Sequence, residues 1–176
     1  MSLYCFSLHY PYNASQSDLN VSSHLFDIVK AGLDDERLLH LIAESNAYAV
    51  AHSPDGKDYA VTPGADGFAD MTYWLALEGG SALGCIGLKR LAPDHGEIKS
   101  MHVGEAHRGK GAAGVLVRHL LAEARSKGMV RVSLETGTSD GYAMSRRFYA
   151  QMGFEPCPVF GEYLKDGVSY CMTRLV

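Results

Sequence analysis

Residues 96–128 constrain the fold most, because a strand-like segment, a glycine-rich turn and a segment of helical periodicity follow one another without a gap. "GEIKSMHV" (96–103) reads as a strand, and "GEAHRGKGAAG" (104–114) as the turn. Beyond it, Leu116, Val117, Leu120, Leu121 and Ala124 fall on one face of a helix predicted over 111–127. Lys127 and Gly128 end that helix with a basic last turn and a glycine cap. A strand entering a helix through such a turn aims backbone N–H groups at one point, where glycine lets an anion approach. A phosphate-bearing ligand is therefore expected here. The plain alternative is a turn that merely joins strand to helix.

The kind of phosphate follows from one position. Gly104, four residues, Gly109 and Lys110 fit the G-x-x-x-x-G-K pattern of nucleotide-triphosphate loops, but Gly111 stands where Ser or Thr is required. That missing hydroxyl is the one that holds Mg²⁺. No apolar strand clearly ends in an Asp to hold the ion from the other side. A diphosphate that is bound but not hydrolysed needs no metal, and none is expected: the chain has no C-x-x-C and no H-E-x-x-H.

The remainder of the chain supports one domain. A length of 176 residues allows one substantial core, and 47% hydrophobic with 20% charged residues is ordinary for a globular protein. The net charge of −4 and the absence of a Lys/Arg block argue against a nucleic-acid partner. No stretch approaches the ~20 apolar residues a bilayer requires, and no secretion signal is recognisable, so no membrane association and a cytoplasmic location are expected. The cysteines at 5, 85, 157 and 171 are then buried or partly buried reduced thiols, and the sequons at Asn13 and Asn20 carry no meaning.

Residues 1–22, rich in Tyr, Asn and Ser, are predicted to be an extension with an edge strand over Leu3–Tyr10. The domain is placed at 23–176. It begins with the strand "HLFDIVKAG" and a helix capped by Asp34, with Leu38, Leu41 and Ile42 on its apolar face. A Gly/Pro/Asp-rich loop follows, then a hairpin over 71–91 turning at Glu78-Gly79-Gly80. After the 96–128 unit come a strand at 130–136, a helix at 139–153 capped by Ser139 or Asp140, and closing strands at 154–160 and 169–176. The order β-α-β-β-β-α-β-α-β-β predicts a mixed sheet with helices on its faces.

"RGKGAA" (Arg108 to Ala113) resembles the Q/R-x-x-G-x-G/A signature of the GNAT superfamily, the GCN5-related N-acetyltransferases. The resemblance runs over about residues 23–176 and includes Glu97 on the preceding strand, the "LET" strand and "RRFYAQMGF" (146–154). "GEIKSM", "LETG" and the terminal "FGEY…M" further resemble a bacterial branch of small-molecule acetyltransferases. The resemblance implies an α/β fold with a GNAT-like central, mixed, mostly antiparallel sheet flanked by helices on both faces. It implies acetyl-CoA as acyl-donor cosubstrate and a small-molecule amine as acceptor, with direct attack on the thioester and no covalent enzyme intermediate.

Site residues follow from the same resemblance. Arg108, Gly109, Lys110, Gly111, Ala112 and Ala113 would face the pyrophosphate, with Lys110 either adding charge or standing as a solvated loop lysine. Backbone N–H groups of Met101 or Val103 would hold the oxyanion, and the strand that carries them, His102 included, would bind the pantetheine arm. Tyr149 would protonate the leaving thiolate; otherwise, next to Phe148, it is a core aromatic. A phenol near ~10 is a weaker acid than a thiol near ~8.5, so Tyr149 must be hydrogen-bonded at close range or tuned downward. Glu97 would take the amine proton, its basicity raised by burial; otherwise it is an edge carboxylate paired with Lys99 or an Arg. Glu135 on the neighbouring strand is the competing base. His102 points away from Glu97 on simple strand alternation. Tyr142 occupies the place where many relatives carry an Asn that contacts the coenzyme A arm. Ser145 and Ala113 are benign departures.

The acceptor itself is not readable; the 55–70 loop, Tyr73, Trp74, Tyr142 and Tyr163 are candidates to line its site, although aromatic residues in strands are usually core, and a peptide or protein amine fits the same chemistry. Homodimers are common in the superfamily. The alternative from another class is a non-catalytic acyl-CoA-binding sensor or structural module. "GTSDG" (137–141) matches a hydrolase nucleophile elbow, but the last histidine, His119, precedes Ser139 rather than following it. His95-Gly96-Glu97 with Pro156-Cys157 echoes a zinc deaminase whose second cysteine is absent, since position 160 is Phe.

Overall fold

The computed structural model describes residues 26–54, 59, 61–65, 67–163 and 167–176. The extension 1–22 and the strand expected over Leu3–Tyr10 lie outside the described residues. Within them the elements are β1 (Asp27–Ala31), α1 (Glu36–His52), β2 (Met71–Glu78), β3 (Ser81–Ala92), β4 (His95–Val103), α2 (Ala112–Ser126), β5 (Arg131–Gly137), α3 (Ala143–Gln151), β6 (Glu155–Pro156) and β7 (Ser169–Leu175). The strands form one seven-stranded sheet in the order β1-β2-β3-β4-β5-β7-β6. Every neighbouring pair is antiparallel except β4–β5, which is parallel. This is the expected element order and the expected mixed, mostly antiparallel sheet.

The central strands are apolar on both sides because both faces are covered. Tyr73, Leu75 and Cys85 pack against Leu38, Leu41 and Ile42 of α1. Trp74, Ile86, Leu88 and Ile98 belong to a second core with Leu116, Val117 and Leu120 of α2 and Tyr149 of α3. The five apolar positions predicted for α2 are all buried. Among the described residues, helices thus lie on both faces, with α1 alone on one.

Local details depart from expectation where side-chain chemistry decided. The α1 cap is Asp35, one residue after the Asp34 expected, and it accepts a hydrogen bond from the Arg37 amide at 2.9 Å. The helix expected from 139 begins as a 3-10 turn over Asp140–Tyr142 before α3, and Ser139 makes no side-chain cap. Its hydroxyl instead donates to the His52 carbonyl at 2.9 Å. The strand expected over 154–160 reduces to the two residues of β6, since Pro156 and Pro158 lack the N–H a ladder needs. Cys85, Cys157 and Cys171 are free thiols, the first and last buried.

Candidate active site

The parallel pairing of β4 and β5 runs from His95↔Arg131 to Ile98↔Leu134 and stops there. A bulge on β4 coincides with the break. Between the pairs Cys85↔His102 and Gly87↔Lys99, the single β3 residue Ile86 opposes two β4 residues, Ser100 and Met101. Ser100 takes φ 47°, a left-handed conformation in a residue that carries a Cβ, at a cost of about 1–3 kcal/mol. The Cys85 thiol donates to the Ser100 carbonyl at 3.1 Å and braces it. A bulge bends its strand and adds twist, which here opens β4 from β5.

The bulge also resets the alternation, and this corrects the expectation for His102. His102 pairs with Cys85 and Glu97 with Lys89, two β3 residues of the same parity, so His102 and Glu97 share the α1 face. Met101 and Val103 turn to the other face and pack on the α2 core.

A cavity of about 520 Å³ occupies the opening. Its walls include Lys99 to Val103 of β4, Glu135 and Thr136 of β5, Tyr48 of α1 and Tyr149 of α3. At one end lie Arg108, Gly109, Gly111, Ala112 and Ala113, on the entry to α2. Gly111 caps α2 at φ 92° and Gly109 sits at φ 78°. A Cβ added at either glycine would meet no protein atom within 4 Å, so the space over this turn is open. Helix N–H groups, left-handed glycines and open space fit a diphosphate. Arg108 folds toward the cavity: its Nε donates to the Val103 carbonyl at 3.3 Å and its guanidinium lies 5.9 Å from the centre of the Tyr48 ring. Lys110 departs from expectation. Its side chain is directed at Glu78 in the β2–β3 turn, at 3.4 Å, and does not line the cavity.

The end of α1 is tied across the opening to the segment that leads into α3. The Tyr48 hydroxyl donates to the Gly141 carbonyl at 2.6 Å, and the Ser53 and Tyr142 hydroxyls are 3.2 Å apart. Tyr48 stacks on His52 at 4.0 Å, and Tyr142 meets Tyr48 edge-on at 5.7 Å. Tyr142 lines the cavity, at the place predicted for a contact to the coenzyme A arm. The contribution of Tyr48, His52 and Ser53 was not foreseen. The available signal is the i, i+4 spacing of Tyr48 and His52, which does not say what they pack against.

Glu97 is buried, 3% exposed, in the centre of the sheet rather than at an edge. It is not among the cavity's lining residues. The Tyr163 hydroxyl donates to its Oε1, and Lys99 Nζ lies 3.7 Å from the same oxygen. Lys99 Nζ in turn donates to the Tyr163 hydroxyl at 2.9 Å. Burial and the adjacent Glu97 carboxylate hold the Tyr163 phenol far above its ordinary value. Glu135, the competing carboxylate, lines the cavity directly. His102 lies 3.1 Å from Glu44 of α1, and burial holds its imidazole below the ordinary range.

Tyr149 is buried, lines the cavity, and meets Phe154 edge-on at 5.6 Å. Burial raises its phenol above the ordinary value, so it is not tuned downward. Tyr73 and Trp74, candidates for the acceptor site, are core residues: Tyr73 is fully buried against Phe68, and Trp74 packs on His119. Of the 55–70 loop, residues 55–58, 60 and 66 lie outside the described residues, and Tyr59 and Val61 line the cavity. Among the described residues no group of three or more His, Cys, Asp or Glu could hold a metal ion, and no helix is long and apolar enough to cross a membrane.

Comparison with known proteins agrees with this geometry. The acetyltransferase (GNAT) family matches residues 35–154. An uncharacterised N-acetyltransferase of Bacillus subtilis, YsnE, is 40% identical over 105 residues, which is 60% of this chain and 70% of that protein. The uncharacterised N-acetyltransferase YedL of Escherichia coli is 36% identical over 96 residues, 54% of this chain and 60% of that protein. A GNAT family acetyltransferase from Elizabethkingia anophelis, solved with acetyl-CoA bound, superimposes with a TM-score of 0.65 at 16% identity, over 87% of this chain and 99% of that one. The chain belongs to the acetyltransferase (GNAT) family and is an acetyltransferase by that membership.

Proposed function

We propose that the chain transfers the acetyl group of acetyl-CoA to a primary amine of a small molecule, by direct attack within a ternary complex. One observation carries this: a single cavity runs from the Gly109–Gly111 turn, through the opening between β4 and β5, to Tyr149 and Glu135. The domain is assigned to residues 23–176, and the cytoplasm is the compartment in which acetyl-CoA and reduced thiols coexist.

Each residue has a defined task. The N–H groups at the start of α2 and the guanidinium of Arg108 hold the diphosphate. Tyr142 packs beside the pantetheine arm, and the Met101 and Val103 amides hold the carbonyl oxygen as charge develops on it. Glu135 accepts the amine proton from within the cavity. Glu97 acts behind it, holding Tyr163 and Lys99 in place. Tyr149 donates a hydrogen bond to the departing sulfur and so stabilises the thiolate. Because burial raises its phenol, Tyr149 serves as a close-range hydrogen-bond donor that stays protonated across the working pH.

The test is thiol release from acetyl-CoA against a panel of primary amines, with acetylated products confirmed by mass. Amine-dependent release is expected. Binding of acetyl-CoA with no amine accepted would overturn the catalytic assignment in favour of an acyl-CoA sensor.

A further inference from the structure

Two of the thiols face each other across the last pair of strands. β6 and β7 run antiparallel with Glu155↔Thr173 and Pro156↔Met172 in register, and the Cys157 N–H donates to the Cys171 carbonyl at 3.0 Å. Cys157 and Cys171 are therefore the next directly opposed pair. A hydrogen-bonded antiparallel pair holds its Cα atoms about 5.5 Å apart, inside the range of about 4.4–6.8 Å that a disulfide spans. Opposed residues project from one face of a sheet. Met172 belongs to the core under α2 and α3, so Cys171 and Cys157 project to the α1 face.

The two sulfurs differ in access. Cys157 is half-buried and Cys171 is buried, 5% exposed. Burial raises both thiols, Cys171 to about 11, so the pair rests in the protonated form. Cys171 also joins the pair to the cavity. It is opposite Glu135 on β5, and the Phe160 N–H is aimed at its sulfur. Phe160 and Tyr163 close one turn, the Tyr163 N–H donating to the Phe160 carbonyl at 3.2 Å, and the Tyr163 hydroxyl donates to Glu97.

We infer that Cys157 and Cys171 form a reversible disulfide when a peroxide reaches Cys157, and that this bond slows transfer at the neighbouring site. The Cys157 thiolate attacks one peroxide oxygen; the O–O bond breaks, leaving a sulfenic acid and hydroxide. The Cys171 sulfur then attacks the Cys157 sulfur, and its proton leaves with the displaced hydroxyl as water. Two electrons pass from the thiols to the peroxide. In turning toward Cys157, the Cys171 sulfur gives up the Phe160 N–H, which loosens the turn that sets Tyr163 on Glu97. Cys85 takes no part: it is buried under α1 and its thiol is engaged by the Ser100 carbonyl.

The experiment exposes the reduced full chain to hydrogen peroxide and reads intact mass and a non-reducing peptide map, beside Cys157→Ser. Wild type should become lighter by about 2 Da, with the Cys157 and Cys171 peptides joined, and dithiothreitol should restore it. Cys157→Ser should show no such loss. After removal of peroxide, kcat/KM for an accepted amine, read from acetylated product, should be lower in the linked wild type by at least about threefold and recover on reduction, with acetyl-CoA affinity by thermal shift unchanged. Cys157→Ser should keep its rate through the treatment. Oxidation of Cys157 to sulfinic acid without a link, a link to Cys5 instead, or a Cys157–Cys171 link that leaves kcat/KM unchanged would each overturn the inference. A linked protein that acetylates no amine in either state would defeat the acetyl-transfer assignment and leave the bond standing.

Discussion

The strands β4 and β5 are two different structures along their length. Over His95–Ile98 and Arg131–Leu134 they are paired, and Ile98, Val132 and Leu134 are core residues. From Lys99 and Glu135 onward they are unpaired with each other and line the cavity. The change takes place within two residues, at a bulge whose strained residue, Ser100, is braced by Cys85. The comparison shows how one sheet separates stability from chemistry: the closed half supplies the packing that holds the open half apart.

Changes in the closed half should cost stability first. Leu134→Ala, at a position 1% exposed, should lose about 2–5 kcal/mol by chemical denaturation; a loss under ~1 kcal/mol would mean that the ladder's end is not anchored by this core. Changes in the open half should cost function first. Gly111→Asp sets a carboxylate where the diphosphate belongs, and acetyl-CoA affinity should fall by more than about a hundredfold with the fold retained by circular dichroism. Retained affinity would remove the turn from the binding site.

Tyr149→Phe should lower kcat by roughly 10²-fold with little change in acetyl-CoA affinity. Glu135→Gln should lower kcat/KM more than Glu97→Gln does, because Glu135 lines the cavity and Glu97 does not, standing behind Lys99 at 3.7 Å. The reverse order would return the base to Glu97. A smaller effect concerns acid. Burial holds His95, His102 and His119 below the ordinary value of 6.5, so each takes up a proton more readily when unfolded. The unfolded chain therefore binds more protons below about pH 6.5, and Tm should decline as pH falls through that value. The smallest effect is Lys110→Ala, about two- to threefold on acetyl-CoA affinity and visible mainly at low salt, because Lys110 faces Glu78.

Much of the fold was legible because it is carried by local periodicity. The α2 face, the Glu78-Gly79-Gly80 turn and the order of elements follow from spacing that a single segment contains. The bulge at Ser100 was not legible, since no residue in "EIKSMHV" marks an inserted position, and with it went the orientation of His102. The turn at Arg108–Ala113 could be found because backbone geometry makes glycine necessary there. The direction of the Lys110 side chain depends on Glu78, 32 residues away, and could not be. The same holds for the tie between Tyr48 and Gly141 and for the Glu97–Tyr163–Lys99 cluster. All are long-range contacts made by residue types that are common on any surface. Tyr73 and Trp74 are core residues, the usual place of aromatic residues on a strand, so of the two readings the sequence leaves open for them the plain one holds.

The most direct measurement is a thermal-shift titration with acetyl-CoA beside ATP–Mg²⁺. Ligand at ~100 times its Kd adds ~2.7 kcal/mol to the folded state, which should raise Tm by about 5–10 °C for a domain of this size. A rise with acetyl-CoA and none with ATP–Mg²⁺ is the predicted result. A rise with ATP–Mg²⁺ alone, or with neither, would contradict acetyl-CoA binding in the opening between β4 and β5.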